Sequence, residues 1–490
     1  MDSPASIVWF RRDLRLDDNP ALAAAARQGP VIPVFLDPGD EDKWEPGPAS
    51  RWWLVKSLRD LDGELRRLDS RLVIRRGPAV SALIKISSSL GVQKIFCNRR
   101  YEPSAARRDQ QIQRSLAAAG IGLELFSSTL LIDPNTVLNQ TGEPYKVFTS
   151  FWNRCLQLPQ SAEATAVPAS LQAPSRWPES MALIELSPQL DPASADGLEH
   201  CWQPGAANAN KMLEQFLHGP IESYITNRDL PGVAGTSRLS PHLHFGEISP
   251  RRLWTAVRQV TQSSAQPGNP RMRQSAEAFL RQIVWREFAY YILHHFPQSP
   301  ERPSHSEFSK FPWRRDERSL RAWENGLTGY PMVDAGMREL LHTGWMHNRI
   351  RMIVASFLTK HLLISWQTGA RWFWERLVDA DLANNTFGWQ WAAGCGHDAA
   401  PFFRIFNPVL QGQKFDPQGS YIRRWVPELA LVPDKWIHQP WAAPDTALEA
   451  AGVKLGKDYP QPIVDHSEAR ERALSAFAFI RAMRASSQAG

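Results

Sequence analysis

The hydrophobic rhythm of this chain changes once, near residue 205, and that change restricts it to two differently built parts. Before the change, short apolar runs alternate with amphipathic stretches. Ile7-Val8-Trp9-Phe10, Val31-Ile32-Pro33-Val34-Phe35-Leu36, Leu72-Val73-Ile74 and Lys94-Ile95-Phe96 read as strands buried on both faces. Helical spacing fills the intervals, as over residues 52–68 and 105–119. Such alternation predicts a parallel α/β sheet with right-handed crossovers. From about 155 to 205 the chain is rich in Pro, Ala, Ser and Gln and reads as a long connector over the surface. Beyond it, apolar residues recur every three or four positions over 277–294, 320–325, 333–343, 349–363 and 468–484. Pro and Gly fall between these runs, as at Gly329-Tyr330-Pro331, and act as stops. The expected division is an α/β domain over 1–135, a connector over 136–204 and an all-α domain over 205–490, frayed over 485–490.

Several function classes are excluded or disfavoured at this level. The first strand runs into Arg11-Arg12-Asp13-Leu14-Arg15 rather than a glycine-rich phosphate loop, which argues against a nicotinamide dehydrogenase. Cys97, Cys155, Cys201 and Cys395 are widely spaced and form no CxxC pair, so neither a zinc ribbon nor a disulfide scaffold is expected. No apolar run reaches the ~18 residues needed to cross a bilayer, and no signal pattern opens the chain. A cytoplasmic monomer without membrane contact is expected. The formal net charge of +6 fits a polyanionic partner and equally fits many proteins that have none. Twenty tryptophans against eight tyrosines is a large excess of the most oxidisable side chain, though core packing also uses Trp.

Three polar clusters lie in the second half. Gly235-Thr236-Ser237-Arg238-Leu239-Ser240 is a hydroxyl-rich turn that could take phosphate, though from the segment alone an ordinary helix N-cap is the first expectation. In Trp345-Met346-His347-Asn348-Arg349-Ile350-Arg351-Met352, helical spacing puts Asn348 and Met352 on one face and Arg351 on another. Asp379 and Asp381 precede Asn384-Asn385 and Gly388-Trp389-Gln390-Trp391. No His or Cys of ligand spacing accompanies the two carboxylates, so a buried ion pair with Arg351 is expected and no metal.

Six segments then carry a specific resemblance. VWFRRDLRLDDNPAL, TSRLSPHLHFGEISP, TGYPMVDAGMREL, TGWMHNRIRM, DADLANN with GWQW, and FNP with KFDP and YIRRWVPEL occur in this order. Together they resemble the DNA photolyase/cryptochrome family, from residue 6 to about 470. The resemblance implies an N-terminal α/β domain and a helical domain that binds FAD. It also implies light-driven repair of cyclobutane pyrimidine dimers in DNA, by electron transfer to a lesion flipped out of the helix.

Carried over by position, Tyr224, Thr236, Ser237, Leu239 and Ser240 match contacts to the FAD phosphates and ribitol. Arg351 and Asp379 match the salt bridge against the flavin, Asp381 a contact near the ribityl-adenosine part, and Asn385 the residue facing flavin N5. Asn348 also matches this lining. An amide at 385 is what the family's repair enzymes usually carry, whereas its plant photoreceptors usually carry Asp. Trp389, Trp366 and Trp313 match the family's chain of tryptophans leading from flavin to surface. Trp285 and Trp391 match the pair that stacks on the lesion, with Asn348 and Met352 lining its pocket.

Gln282 stands where enzymes for cyclobutane dimers usually have Glu, and (6-4) photoproduct enzymes often have Gln. Asn348 stands where (6-4) repair needs His. Cyclobutane dimers are therefore the first expectation, with (6-4) repair and a cryptochrome-type blue-light photoreceptor as alternatives. The stretches WQPGAANANKMLEQFL and HQPWAAPDTALEAAGVKLGKDYPQPIVD resemble plant cryptochromes and the class III photolyases grouped with them. That likeness implies a methenyltetrahydrofolate antenna in the N-terminal domain, with Glu102 as a contact. A capping role would also suit Glu102.

Overall fold

The computed structural model describes residues 4–37, 39, 43–158, 164–263, 270–398 and 403–488. Five strands form one parallel sheet: β1 (Ser6–Phe10), β2 (Val31–Asp37), β3 (Val73–Arg76), β4 (Lys94–Asn98) and β5 (Gly122–Phe126). Their order is β3-β2-β1-β4-β5, with Ile7 opposite Ile32 on one side and Ile95 on the other. The crossover helices are α1 (Pro20–Ala26), α2 (Pro48–Arg66), α3 (Ala79–Leu90) and α4 (Pro103–Ala118). β5 is not among the expected strands. It is a half-exposed edge strand interrupted by Glu124, so it lacks the unbroken apolar run that marks β1 and β2.

The two-residue period of β1 assigns its side chains to separate cores. Ile7 and Trp9 pack with Leu83, Ile86 and Ile112 on the outer face. Val8 and Phe10 pack on the inner face with Trp53 and with Phe245, Trp345 and Val378 from the second half. One apolar cluster thus bonds sheet to helical domain. Strand order reverses between β1 and β4, which opens a crevice at their carboxyl ends. Arg11 fills part of the space where a dinucleotide loop would turn. It is buried and donates to both oxygens of Asp109 at 2.6 and 2.7 Å.

The stretch expected to drape over the surface is more integrated than its composition suggests. It holds α5 (Phe148–Gln157) and α6 (Pro192–Cys201). Gln172 O accepts from Val31 N–H at 2.9 Å, and Ile74 donates its N–H to Ser180 Oγ at 2.9 Å and accepts from Met181 N–H at 3.0 Å. Leu171, Leu186 and Leu198 are buried in the inner-face core. Isolated leucines between prolines carry no period, so this packing leaves no periodic trace in the sequence.

Helices then follow one another to the end. First come α7 (Ala206–Leu217), α8 (Tyr224–Asn227), α9 (Ser240–Phe245), α10 (Pro250–Ser263) and α11 (Pro270–His295). Next are α12 (Glu317–Glu324), α13 (Pro331–Thr343), α14 (Asn348–Ser356), α15 (Trp366–Arg376) and α16 (Leu382–Ala393). The last are α17 (Pro408–Phe415), α18 (Ser420–Trp425), α19 (Asp445–Ala450) and α20 (His466–Gln488). Pro331 opens α13 and Gly344, at φ +65°, closes it. The run 349–363 is not one helix. α14 gives way to a π-helical turn over Phe357–His361, and Leu363 reverses the chain at φ +53°. Of the end expected to fray, residues to 488 continue α20, and 489–490 lie outside the described residues.

The seam between the halves is made by backbone as well as apolar side chains. Leu14 N–H donates to Phe245 O at 3.1 Å, and buried Arg15 donates to Gly246 O at 2.9 Å. Gly246 adopts φ +68° and ends α9 directly against the backbone of Arg12 and Asp13. A Cβ there would collide with the Arg12 carbonyl and would also meet the left-handed penalty. Gly246→Ala is therefore expected to cost about 2–4 kcal/mol, read as a lower denaturant midpoint. A loss within ~0.5 kcal/mol would show that the seam yields freely.

Candidate flavin and lesion cavity

A cavity of about 420 Å³ opens in the helical domain, walled by α11, α14 and α16. Ten residues singled out in the sequence line it: Gln282, Trp285, Asn348, Arg351, Met352, Asp379, Asp381, Asn385, Trp389 and Trp391. Their placement follows from local structure. Asp381 is the N-cap of α16, accepting from Asn384 N–H at 2.9 Å, and so fixes where that helix starts. Asn385 lies in the first turn and anchors its amide by donating to Ala370 O at 2.9 Å. Trp389 follows one turn later on the same face. His347 caps α14 through Nδ1, which accepts from Arg349 N–H at 3.2 Å.

Arg351 corrects the sequence-based expectation. It does not point away from Asn348 and Met352 but shares their cavity. Its stem folds back so that Nε donates to Met346 O at 2.8 Å, and its terminal nitrogen reaches both oxygens of Asp379 at 3.0 and 2.8 Å. The expected Arg351–Asp379 pair is thus formed. Trp285 is held from behind by Phe148 of α5, a parallel stack with ring centroids 3.6 Å apart. The connector therefore supplies part of the cavity wall.

Sequence reasoning missed the network behind Asp381. Its second oxygen accepts from the Tyr290 hydroxyl and lies 3.4 Å from His244 Nδ1, while the far side of His244 meets Arg12 of the sheet domain. Burial alone would raise the Asp381 carboxyl; these hydrogen bonds and the charge of Arg286 hold it well below the usual range. Burial, reinforced by Arg12, lowers His244 to about 4, so the imidazole is neutral. Arg228, Asp229 and Arg349 at the rim were also missed, with Arg349 and Asp229 paired at 2.8 Å. The adjacent opposite charges of Arg228-Asp229 were the available signal for that side; nothing local marked Arg349.

The other expected residues are not among those that line this cavity. Ser240 Oγ accepts from Trp345 Nε1 at 3.1 Å, Leu239 is buried, and Thr236 and Ser237 are partly exposed. Tyr224 packs edge-on to Phe216 and Phe279. Trp389 and Trp366 are both buried, at 3% and 1% exposed, and of the three only Trp313 is partly exposed. Glu102 lines a different pocket, the crevice at the carboxyl ends of β2, β1 and β4, with Arg12, Trp44, Arg51 and Trp374. Its carboxylate makes two bonds to Arg100, at 2.9 and 2.6 Å, and no cap bond to α4. Burial would raise this carboxyl, but Arg100 outweighs it and brings it down to about 2. Among the described residues no group of three or more His, Cys, Asp or Glu is placed to hold a metal ion.

Comparison with known proteins agrees with this arrangement. Residues 6–173 match the DNA photolyase model and residues 279–478 the model for the FAD binding domain of DNA photolyase. A deoxyribodipyrimidine photo-lyase of Agrobacterium fabrum is 47% identical over 97% of this chain and 98% of its own length. Cryptochrome-1 of Arabidopsis thaliana is 43% identical over 99% of this chain and 72% of its own. The crystal structure of a bacterial class III photolyase from Agrobacterium tumefaciens superposes with a TM-score of 0.93 at 45% identity, covering 98% of each chain. The chain belongs to the DNA photolyase/cryptochrome family.

Burial lowers the His347 imidazole from 6.5 to about 4, with Arg349 and Arg351 adding to the effect. Between those values the unfolded chain takes up a proton that the folded chain refuses, so stability falls as pH drops from 6.5 toward 4. The contribution is on the order of 3 kcal/mol at full effect. His347→Asn keeps a capping oxygen but cannot titrate. It is expected to lose less stability between pH 7 and pH 5 than the wild type, measured by denaturant midpoints; equal losses would remove His347 from the acid response.

Proposed function

We propose that this protein is a deoxyribodipyrimidine photo-lyase that repairs cyclobutane pyrimidine dimers in DNA with FAD under light. The observation that carries this reading is that one cavity holds both residue sets the chemistry needs. Arg351, Asp379 and Asn385 are its cofactor-facing side, and Trp285, Trp391, Gln282, Asn348 and Met352 its lesion-facing side.

The residues present fit a flavin. The Arg351–Asp379 pair offers a fixed charge, Asn385 offers an amide, and the turn at Thr236–Ser240 offers hydroxyls beside Trp345. When bound, reduced FAD supplies an electron to the dimer under blue or near-ultraviolet light and receives it back once the two bonds joining the pyrimidines have opened. Asn385 offers a hydrogen-bond donor that does not release its proton at neutral pH, which leaves the cofactor's charge unquenched. Trp285 and Trp391 give aromatic faces to bases extruded from the helix, a step by which photolyases reach their target. Gln282 and Asn348 offer amides to the base edges. Trp389 gives an electron inward when the cofactor is oxidised, and Trp366 and Trp313 pass the vacancy outward to solvent.

A second reading is a blue-light photoreceptor, favoured by the likeness to the Arabidopsis cryptochrome; the amide at 385 weighs against it. Gln282 keeps (6-4) photoproducts as an alternative substrate. Illuminating reduced holoprotein with oligonucleotides bearing each lesion separates these readings. Restored thymines are expected from the cyclobutane dimer only, and restoration of neither lesion would overturn repair. Trp389→Phe is expected to slow photoreduction of oxidised FAD by at least an order of magnitude while pre-reduced protein repairs normally. Loss of both would assign Trp389 a different role.

The crevice around Glu102 suits an antenna chromophore, for which methenyltetrahydrofolate is our reading. It lies at the strand-order reversal, the usual ligand position in such sheets, and combines the indoles of Trp44 and Trp374 with Arg12 and Arg51. A pterin would find π-faces there and its glutamyl carboxylates would find cations. Glu102→Gln is expected to lower the folate-to-FAD ratio of extracted pigment, with FAD content unchanged; an unchanged ratio would remove Glu102 from the site. Among the described residues no helix is long and apolar enough to cross a membrane, and all four cysteines are unpaired. The unpaired cysteines accord with a reducing compartment such as the cytoplasm, and a monomer is our reading.

A further inference from the structure

The turn that precedes α9 contains a backbone anomaly. Among the described residues only Asp18, Asp69, Arg238 and Leu363 have positive φ without being glycine. Asp tolerates that region through its short polar side chain, but a long side chain such as Arg gains nothing from it. Arg238 is at φ +52°, between Ser237 and Leu239, inside the segment read as the cofactor's phosphate and ribitol contact. Such a conformation persists only where its surroundings impose it.

The surroundings that do so are two tryptophans. The guanidinium carbon of Arg238 lies 4.2 Å from the ring centroid of Trp202 and 5.0 Å from that of Trp345. Both indoles are themselves pinned: Trp202 Nε1 donates to Thr343 O at 2.7 Å, and Trp345 Nε1 to Ser240 Oγ at 3.1 Å. Trp345 therefore touches the turn twice, once through the cation and once through the hydroxyl. Its ring also lies 6.0 Å from the guanidinium of Arg351, at the flavin side of the cavity. Arg238 has no carboxylate within ion-pairing distance among the described residues, and its Nε is buried without a partner. Its side chain is thus committed to the two rings. Leu239 follows at φ −83° and ψ 3°, so a left-handed residue precedes a right-handed one and their N–H groups converge.

We propose that Arg238 is a positioning residue: by resting its guanidinium against both Trp202 and Trp345, whose rings meet edge to face with centroids 6.3 Å apart, it holds the Thr236–Ser240 turn in a strained form that is ready for the FAD phosphates before FAD arrives. The inference rests on the reading of this turn as a cofactor contact. Pre-forming the turn removes an ordering cost that binding would otherwise meet, so the clamp acts on retention of the cofactor rather than on the photochemistry.

Dissociation of FAD from purified holoprotein, followed by the rise in free-FAD fluorescence, tests this with three substitutions. Arg238→Ala removes the clamp and leaves the left-handed penalty. Arg238→Gly removes both. Arg238→Lys keeps a cation without the planar face. FAD is expected to leave the Ala variant about tenfold faster than the wild type. The Gly variant should fall between Ala and wild type, because glycine accepts the turn without help. The Lys variant should be partly rescued, as should Trp202→Phe, which retains an aromatic face. Ala and Gly variants that release FAD at the wild-type rate would overturn the proposal. So would equal acceleration in the two, since a clamp that opposes no strain is only packing. A wild-type chain that carries no FAD at all would instead overturn the reading of the cavity as a flavin site.

Discussion

Much of this structure depends on one buried carboxylate. Asp381 is the last residue before α16, and that helix presents Asn385, Trp389 and Trp391 to the cavity. An ionised group so deeply placed is tolerable only when each oxygen is satisfied. One oxygen takes the Asn384 amide N–H and side chain; the other takes Tyr290 of α11 and faces His244 of α9. His244 in turn meets Arg12 at the end of β1. The start of α16 is therefore referenced to the helical domain and to the sheet at once. Neutral His244 matters here, because it satisfies Asp381 without discharging it.

The fold was legible where burial is periodic and silent where it is not. β1 and β2, buried along their whole length, announce themselves as uninterrupted apolar runs. β5, with Glu124 in its middle and an open edge, does not. The apolar rhythm over 349–363 is genuine, yet it covers a helix, a π-helical turn and a left-handed Leu363, since period alone does not report a backbone that widens by one residue in a turn. At the site, residues near one another in sequence were readable as clusters, and the structure brings the clusters together. Arg351 was misplaced because helical geometry fixes where its Cβ points, not where four further bonds carry its charge. Arg12, His244 and Tyr290 are separated by up to 278 positions along the chain. Each is an unremarkable residue until the fold closes, so nothing local distinguishes them.

The cavity divides its work between rigid and neutral parts. Two of its charge pairs are already satisfied, Arg351 with Asp379 and Arg349 with Asp229. The groups left to meet a cofactor or a base are amides and aromatic faces. A site of this composition recognises shape and hydrogen-bonding edges without offering a stray proton, which suits chemistry in which an electron must move alone. The connector joins this work through Phe148, whose ring fixes the plane of Trp285.

Gly369 is a small feature with a disproportionate effect. The indole of Trp389 lies so close to its Cα that any side chain there would overlap the ring. Gly369 is three residues after Trp366 on α15, so the missing side chain leaves room for Trp389 on the face of α15 that carries Trp366. Tunnelling between aromatic rings weakens exponentially with the gap. In the electron path we propose, a single methyl group at 369 would act as a spacer that pushes the Trp389 ring away while leaving both oxidisable rings in the chain.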